Sequence, residues 1–269
     1  MAKTSTDRHS FLRWPERLID LGVTLACWAW FTCGYVLFYS WRYAAAAITR
    51  SNCEEQFQRL NCLFFRSFFR LVRATAPSHA IAIDEGVATL KGAVVISNHL
   101  SYLDPLLLVS LYERHRTIVK SRFFSVPIFG WVLGKSGYLP DQGRGGRATM
   151  MIEQMESMEV FFQQGGNLFV FPEGTRSRSG EVGEMQRGAL KIARLFQVPV
   201  CVLKISNSHR LFPPDKFLFN SRIDNTIEVR LVDRIEPQDL ILRPEDDSIE
   251  QRLRRAFETT RTVSTSESR

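Results

Sequence analysis

Six short apolar runs punctuate the chain after Ala76-Pro77: His79 to Ile83, Ala93 to Ile96, Arg116 to Val119, Leu168 to Phe171, Val198 to Ile205 and Thr226 to Val232. Each is four to eight residues long, the length of a strand and too short for a core helix. Helix-like stretches separate them. Pro105 opens one that continues through Tyr112. Gly146 to Gln163 carries Met150, Met151, Met155, Met158 and Phe162 on one side, a stripe that reads as core-facing. Arg187 to Phe196 leads into the fifth run, and Ile249 to Arg261 places Ile249, Leu253, Ala256 and Phe257 on one face. Strands alternating with helices predict an α/β domain built on a mixed, mostly parallel sheet flanked by helices. With no internal repeat and no shift in composition, residues 77–262 read as one domain, and the Ser/Thr-rich residues 263–269 as a flexible tail.

The first 76 residues read differently. Leu21 to Trp41 runs 21 residues without a charge, about 30 Å as a helix and enough for a bilayer core. It is too long for a signal-peptide apolar region and no cleavage site follows, so it is expected to be retained. Cys53 to Ala74 then sets Phe57, Leu60, Phe64, Phe68 and Leu71 against Arg59, Arg66, Arg70 and Arg73 at helical spacing. Such a helix either lies in a membrane interface or packs its Phe-rich face on the soluble core. Residues 1–76 are therefore read as membrane-associating N-terminal helices, a hydrophobic and an amphipathic one. Basic residues flank the apolar run on both sides (Arg13 and Arg17, then Arg42 and Arg50), so the charge bias selects no orientation, and a helical pair on the cytoplasmic face of the inner membrane accommodates both flanks.

A net charge of +7 suits an anionic membrane surface. Nucleic acid is not expected as a partner: there is no zinc spacing, no aromatic RNA-binding signature and no Lys/Arg block. Cys27, Cys33, Cys53, Cys62 and Cys201 form no CxxC or His/Cys ligand set and read as free thiols, and no metal or cofactor is expected.

Two stretches carry chemistry. Asn98-His99-Leu100-Ser101-Tyr102-Leu103-Asp104 follows a strand-like run and precedes a helix, so one helical turn can return the Asp104 carboxylate to one imidazole nitrogen and leave the other free to accept a proton. Taken alone, the pair also fits a turn histidine beside an N-cap carboxylate. Phe171-Pro172-Glu173-Gly174-Thr175-Arg176-Ser177-Arg178 likewise ends a strand-like run, where ligand sites of α/β sheets gather. Gly174 permits a tight turn, Thr175 offers a neutral donor, and Arg176 and Arg178 supply planar forks suited to phosphate.

Together, in this order and with Phe171 67 positions after Asp104, the two motifs resemble those of the glycerolipid acyltransferases, the family of 1-acylglycerol-3-phosphate acyltransferase. Lys120 to Trp131 is similar to the second block of that family and Val198-Pro199-Val200 to the start of its fourth, so the resemblance covers about Gly92 to Lys204. It implies transfer of a fatty acyl group from acyl-CoA or acyl carrier protein to a lysophospholipid hydroxyl, in phospholipid biosynthesis at a membrane. The acceptor it implies first is 1-acyl-sn-glycerol-3-phosphate. His99 would be the general base and Asp104 its orienter. Glu173, Gly174, Thr175 and Arg176 would hold the acceptor head group, with Lys120 and Arg144 as further contacts. Two departures stand out. The second block of the family usually closes on Asp-Arg, where this chain has Asp141-Gln142, leaving Arg144 or Arg147 to reach the phosphate; and Val202 replaces a proline of the fourth block. Another lyso-lipid, such as a lyso-ornithine lipid, is the alternative acceptor. A membrane-bound hydrolase and a non-catalytic membrane-surface module are the competing classes. The sequence has no Gly-x-Ser-x-Gly elbow, and a thioester needs none, because its thiolate already leaves well.

Overall fold

The computed structural model describes residues 14–49, 52–141, 147–171, 188–214, 216–242 and 246–258. The N-terminal segment is a continuous helix: α1 (Trp14–Ala29), a π-helical stretch over Trp30–Tyr39, and α2 (Ser40–Thr49). Its portion Arg17–Thr49 is long and apolar enough to cross a membrane by length and composition. Then follow α3 (Cys53–Thr75), β1 (His79–Ile83), α4 (Glu85–Ala88), β2 (Val94–Ser97), α5 (Leu103–Leu111) and β3 (His115–Val119). A 3-10 turn (Ser121–Ser125), α6 (Phe129–Lys135), β4 (Leu139–Pro140), α7 (Arg147–Glu156), α8 (Met158–Gln163) and β5 (Asn167–Val170) come next. The chain closes with α9 (Gly188–Phe196), β6 (Val200–Ser206), α10 (Ser208–Leu211), β7 (Asn225–Ile235), α11 (Pro237–Leu242) and α12 (Asp246–Glu258).

The strands form one sheet in the order β1-β7-β6-β2-β5-β3-β4, and only β6 and β7 run antiparallel. The predicted mixed, mostly parallel sheet is therefore observed. β2 lies at its centre, with Val94 in register with Val200 on one side and Leu168 on the other. Alternation along these strands builds two cores. Val95, Phe169 and Cys201 face the side covered by α3 and α5, while Val94, Ile96, Leu168 and Val200 face α8, α9 and α12. β2, β3, β5 and β6 are mutually parallel, so their carboxyl ends share one edge of the sheet.

Of the two roles open to the apolar face of α3, packing on the core is the one observed. Phe57, Phe64, Phe68, Phe69 and Val72 are buried, whereas Arg59, Arg70 and Arg73 are exposed. Arg66 departs from this pattern. Its Nε donates to Ser110 O at 2.8 Å and its Nη2 to Leu111 O, closing the C-terminal end of α5 with a cation.

A buried polar layer ties α3 to the sheet margin. Arg116 forks onto Glu54 (2.8 and 3.0 Å) and also donates to Gln154 O and Ser157 Oγ. That guanidinium explains why Gly146 to Gln163, read as one helix, is broken at Ser157. The carbonyl of Gln154 is taken up by Arg116 and by the Ser157 hydroxyl, so the helix restarts as α8. The methionine stripe splits with it: Met158 is fully buried, Met155 packs against the same core, and Met150 and Met151 are only half-buried. β4, two residues including a proline at the sheet edge, was not legible as a strand. All five cysteines are free, and burial pushes the Cys62 and Cys201 thiols up to about 11.

In the same layer His115 Nδ1 donates to Tyr112 O at 2.7 Å, and Nε2 accepts from the Tyr138 hydroxyl at 2.7 Å, so the ring is the neutral tautomer. Asn61 joins Tyr138 to Tyr43 and Ser136. Burial pulls the His115 pKa from 6.5 down to about 4. A depressed histidine favours the folded state while it is neutral. Its contribution is thus complete above pH 6.5 and is lost as pH falls from 6.5 towards 4, by as much as about 3 kcal/mol. His115→Gln should flatten that acid limb in urea unfolding across this range; parallel limbs for wild type and variant would assign the titration elsewhere.

Candidate active site

β2 ends at Ser97, and the turn beyond it is clamped to the neighbouring strand by one side chain. Asn98 Oδ1 accepts from Ile205 N–H at 2.7 Å and its Nδ2 donates to Ile205 O at 2.8 Å, replacing the ladder pair that the turn gives up. Asp104, in the first turn of α5, has a fully buried side chain, and its Oδ2 accepts three donors: Leu100 N–H at 2.6 Å, Ser101 N–H at 2.7 Å and His99 Nδ1 at 3.1 Å. With Nδ1–H directed at a carboxylate oxygen, the neutral ring has its lone pair on Nε2. The His99 side chain is 15% exposed, so the ring is sheltered but open along one edge. The predicted pairing of His99 with Asp104 is the observed one.

Phe171, which leaves β5 on the same edge, lays its ring against His99 with centroids 4.6 Å apart and planes at 35°. This covers a face of the imidazole and starts the second motif at the histidine itself. Glu173, Gly174, Thr175 and Arg176 lie outside the described residues, as do Gln142 and Arg144. Arg147 begins α7, with its backbone alone described. Lys120 follows β3 on the same sheet edge, half-buried, immediately before the 3-10 turn. Asp141, beside the departure from the second block, accepts from Ser121 N–H and Oγ, so its carboxylate braces that turn.

Several contributors escaped the sequence reading. Ser101 Oγ donates to Phe212 O at 2.9 Å and accepts from Leu103 N–H. Phe212 stacks on Phe219 at 4.5 Å, and Phe219 N–H donates to Thr24 Oγ1 of α1 at 2.9 Å. Partners more than 100 residues apart leave no local signal. Asn98 was part of the motif, but its clamping role depends on β6 being the neighbour of β2. Among the described residues no group of three or more His, Cys, Asp or Glu side chains is placed to hold a metal.

The fold is that of an α/β domain with a histidine–carboxylate turn at the carboxyl edge of its sheet. Residues 80–206 match the Acyltransferase family model, a likeness in keeping with the glycerolipid acyltransferase resemblance of the two motifs. It is 32% identical over 120 residues to the chloroplastic 1-acyl-sn-glycerol-3-phosphate acyltransferase of Brassica napus, covering 45% of this chain and 34% of that one. To the yeast (Saccharomyces cerevisiae) 1-acyl-sn-glycerol-3-phosphate acyltransferase it is 26% identical over 159 residues, covering 58% and 52%. The chain thus spans about a third to a half of the length of these curated relatives. The crystal structure of the 1-acyl-sn-glycerophosphate (LPA) acyltransferase PlsC from Thermotoga maritima superposes with a TM-score of 0.66 at 19% identity, covering 91% of this chain and 98% of that one, a likeness of fold.

The hydrogen bonds to Asp104 predict separable effects on stability. Asp104→Asn retains an oxygen for Leu100 and Ser101 N–H but puts its NH2 at the buried Oδ1 position, which has no hydrogen-bond partner among the described residues, and should cost about 1 kcal/mol. Asp104→Ala leaves both donors without that acceptor and should destabilise by about 2 kcal/mol or more, read as a fall in the thermal midpoint.

Proposed function

We propose that this chain transfers a fatty acyl group from an acyl thioester to the free hydroxyl of a lysophospholipid, 1-acyl-sn-glycerol-3-phosphate in the first instance, giving phosphatidic acid. The observation that carries the reading is a histidine at the carboxyl edge of the sheet, held by a buried carboxylate, with no hydrogen bond to its second nitrogen among the described residues. The curated relatives named for this reaction support it. His99 Nε2 removes the proton as the acceptor oxygen attacks the thioester carbonyl carbon. The tetrahedral intermediate expels the thiolate, which takes the proton back from the imidazolium. Asp104 stabilises that imidazolium and holds the tautomer. No covalent acyl-enzyme is required.

Glu173, Gly174, Thr175 and Arg176 are assigned to the acceptor head group, because Phe171 lies on His99 and the next residues in the chain carry the donors. Lys120 is assigned to the same edge, and Arg144 or Arg147 to the phosphate that Gln142 cannot pair. The donor is either acyl-CoA or acyl carrier protein. The helix Arg17–Thr49 is assigned to the bilayer, on its cytoplasmic face, by its length and its exposed Leu18, Leu25, Val36, Leu37 and Trp41.

An assay with labelled acyl-CoA or acyl carrier protein and a panel of lyso-acceptors tests the reading directly. His99→Ala should lower kcat by at least about a hundredfold, and Asp104→Asn should leave a measurable residue. A His99→Ala enzyme within tenfold of wild type would refute the general base.

The head-group assignment has its own test. Arg176→Ala should raise KM for 1-acyl-sn-glycerol-3-phosphate by about 10- to 100-fold, with partial recovery in Arg176→Lys, because an ammonium cannot reproduce the fork. An unchanged KM, with a better acceptor lacking the terminal phosphate, would replace the acceptor and leave acyl transfer standing.

A further inference from the structure

After β3 the chain makes its 3-10 turn and then a second, tighter one at Pro127-Ile128-Phe129. Ile128 has φ 64° and ψ −56°, and Phe129 N–H donates to Pro127 O at 2.6 Å. This is a γ-turn of the strained, positive-φ kind, a conformation that β-branched residues avoid. Gly130 completes it, since a Cβ there would collide with Phe124 O. The strained geometry displays apolar side chains. Ile128 is 65% exposed, Val126, Phe129 and Trp131 are also exposed, and Val132 and Leu133 just beyond are buried. Local strain that exposes a cluster of large apolar residues points to a use for them.

The surroundings indicate what covers the turn. Arg122 and Lys135 are exposed beside it, and residues 120–135 contain no Asp or Glu. Trp131 packs edge-on against Phe57 at 5.1 Å, and Phe57 against Tyr43 of α2 at 5.1 Å, so the patch adjoins the apolar N-terminal helix, where Trp41 and Ile48 are exposed. The turn also follows β3 at the carboxyl edge of the sheet, the edge that carries His99 and Phe171.

We propose that this turn is a second lipid contact, which seats Ile128 and Phe129 in the acyl boundary of an anionic phospholipid bilayer and leaves Arg122 and Lys135 at the lipid phosphates. An apolar tip with a basic rim is complementary to an anionic leaflet. The inference rests on the reading that the acceptor is a bilayer lipid. A helix alone leaves the protein free to turn about one axis; the second contact fixes the active-site edge towards the lipid.

Hydrogen exchange of the full chain, with and without vesicles of phosphatidylglycerol and phosphatidylethanolamine, tests this. Vesicles should slow exchange in residues 121–132 by about tenfold or more, together with the helix 17–49. In the double variant Ile128→Gly with Phe129→Ser, where glycine accepts the positive φ, the turn should lose its protection while the helix keeps it. That variant should act about tenfold more slowly on vesicle-borne acceptor and at the wild-type rate on a short-chain soluble one. Protection of the helix without the turn overturns the second contact alone. Protection of the turn without vesicles, on concentrating the protein or adding acyl carrier protein, overturns it in favour of a protein partner. If neither segment is protected, the second contact and the bilayer reading both fall, while acyl transfer to the soluble acceptor remains a separate readout.

Discussion

One buried oxygen organises the turn that carries His99. Asp104 Oδ2 receives two backbone N–H groups and the imidazole Nδ1, so the position of His99 is set by the same atom that shapes the loop from His99 to Ser101. The arrangement depends on its supports. Asn98 holds the start of the turn to β6, Ser101 holds its middle to Phe212, and α5 fixes the carboxylate from behind. An imidazole held in this way is pre-oriented, as the proposed proton transfer requires.

The same turn is joined to the N-terminal helix. Thr24 Oγ1 receives Phe219 N–H, Asp20 Oδ1 receives Ser221 N–H, and Trp28 stacks on Phe217. Through Phe219 and Phe212 these contacts reach Ser101 without leaving packed residues. A second tie runs through α3. Glu54 pairs with the buried Arg116, and Gln58 and Asn61 reach Ser136 and Tyr138. Removing α3 would therefore uncover the core that Phe68, Phe69 and Val72 pack against and strand a buried guanidinium, so this helix belongs to the core of the α/β domain. Its position between the apolar helix and the sheet gives the edge that carries His99 a fixed orientation relative to whatever surface the apolar helix meets.

Periodicity and motif grammar carried most of the architecture. The six apolar runs correspond to six of the seven strands; β2 and β5 are buried throughout and so are apolar on both faces, whereas β7 alternates between buried and exposed residues. The His99 and Asp104 pairing was legible because both partners lie within one turn, where chain geometry leaves few alternatives. What the residues determined by themselves is thus the local and the periodic: six of the strands, the amphipathicity of α3, the presence of an apolar helix, which extends beyond Leu21 to Trp41 at both ends, and the pairing of His99 with Asp104. Tertiary structure decided the rest. It chose the core over an interface for the Phe-rich face of α3, broke one predicted helix at Ser157 to satisfy Arg116, paired Leu139 and Pro140 with β3, and brought Phe171 to His99 across 72 positions of sequence. These outcomes depend on which strands become neighbours, and so on the burial of apolar surface over the whole sheet rather than on any short stretch of residues.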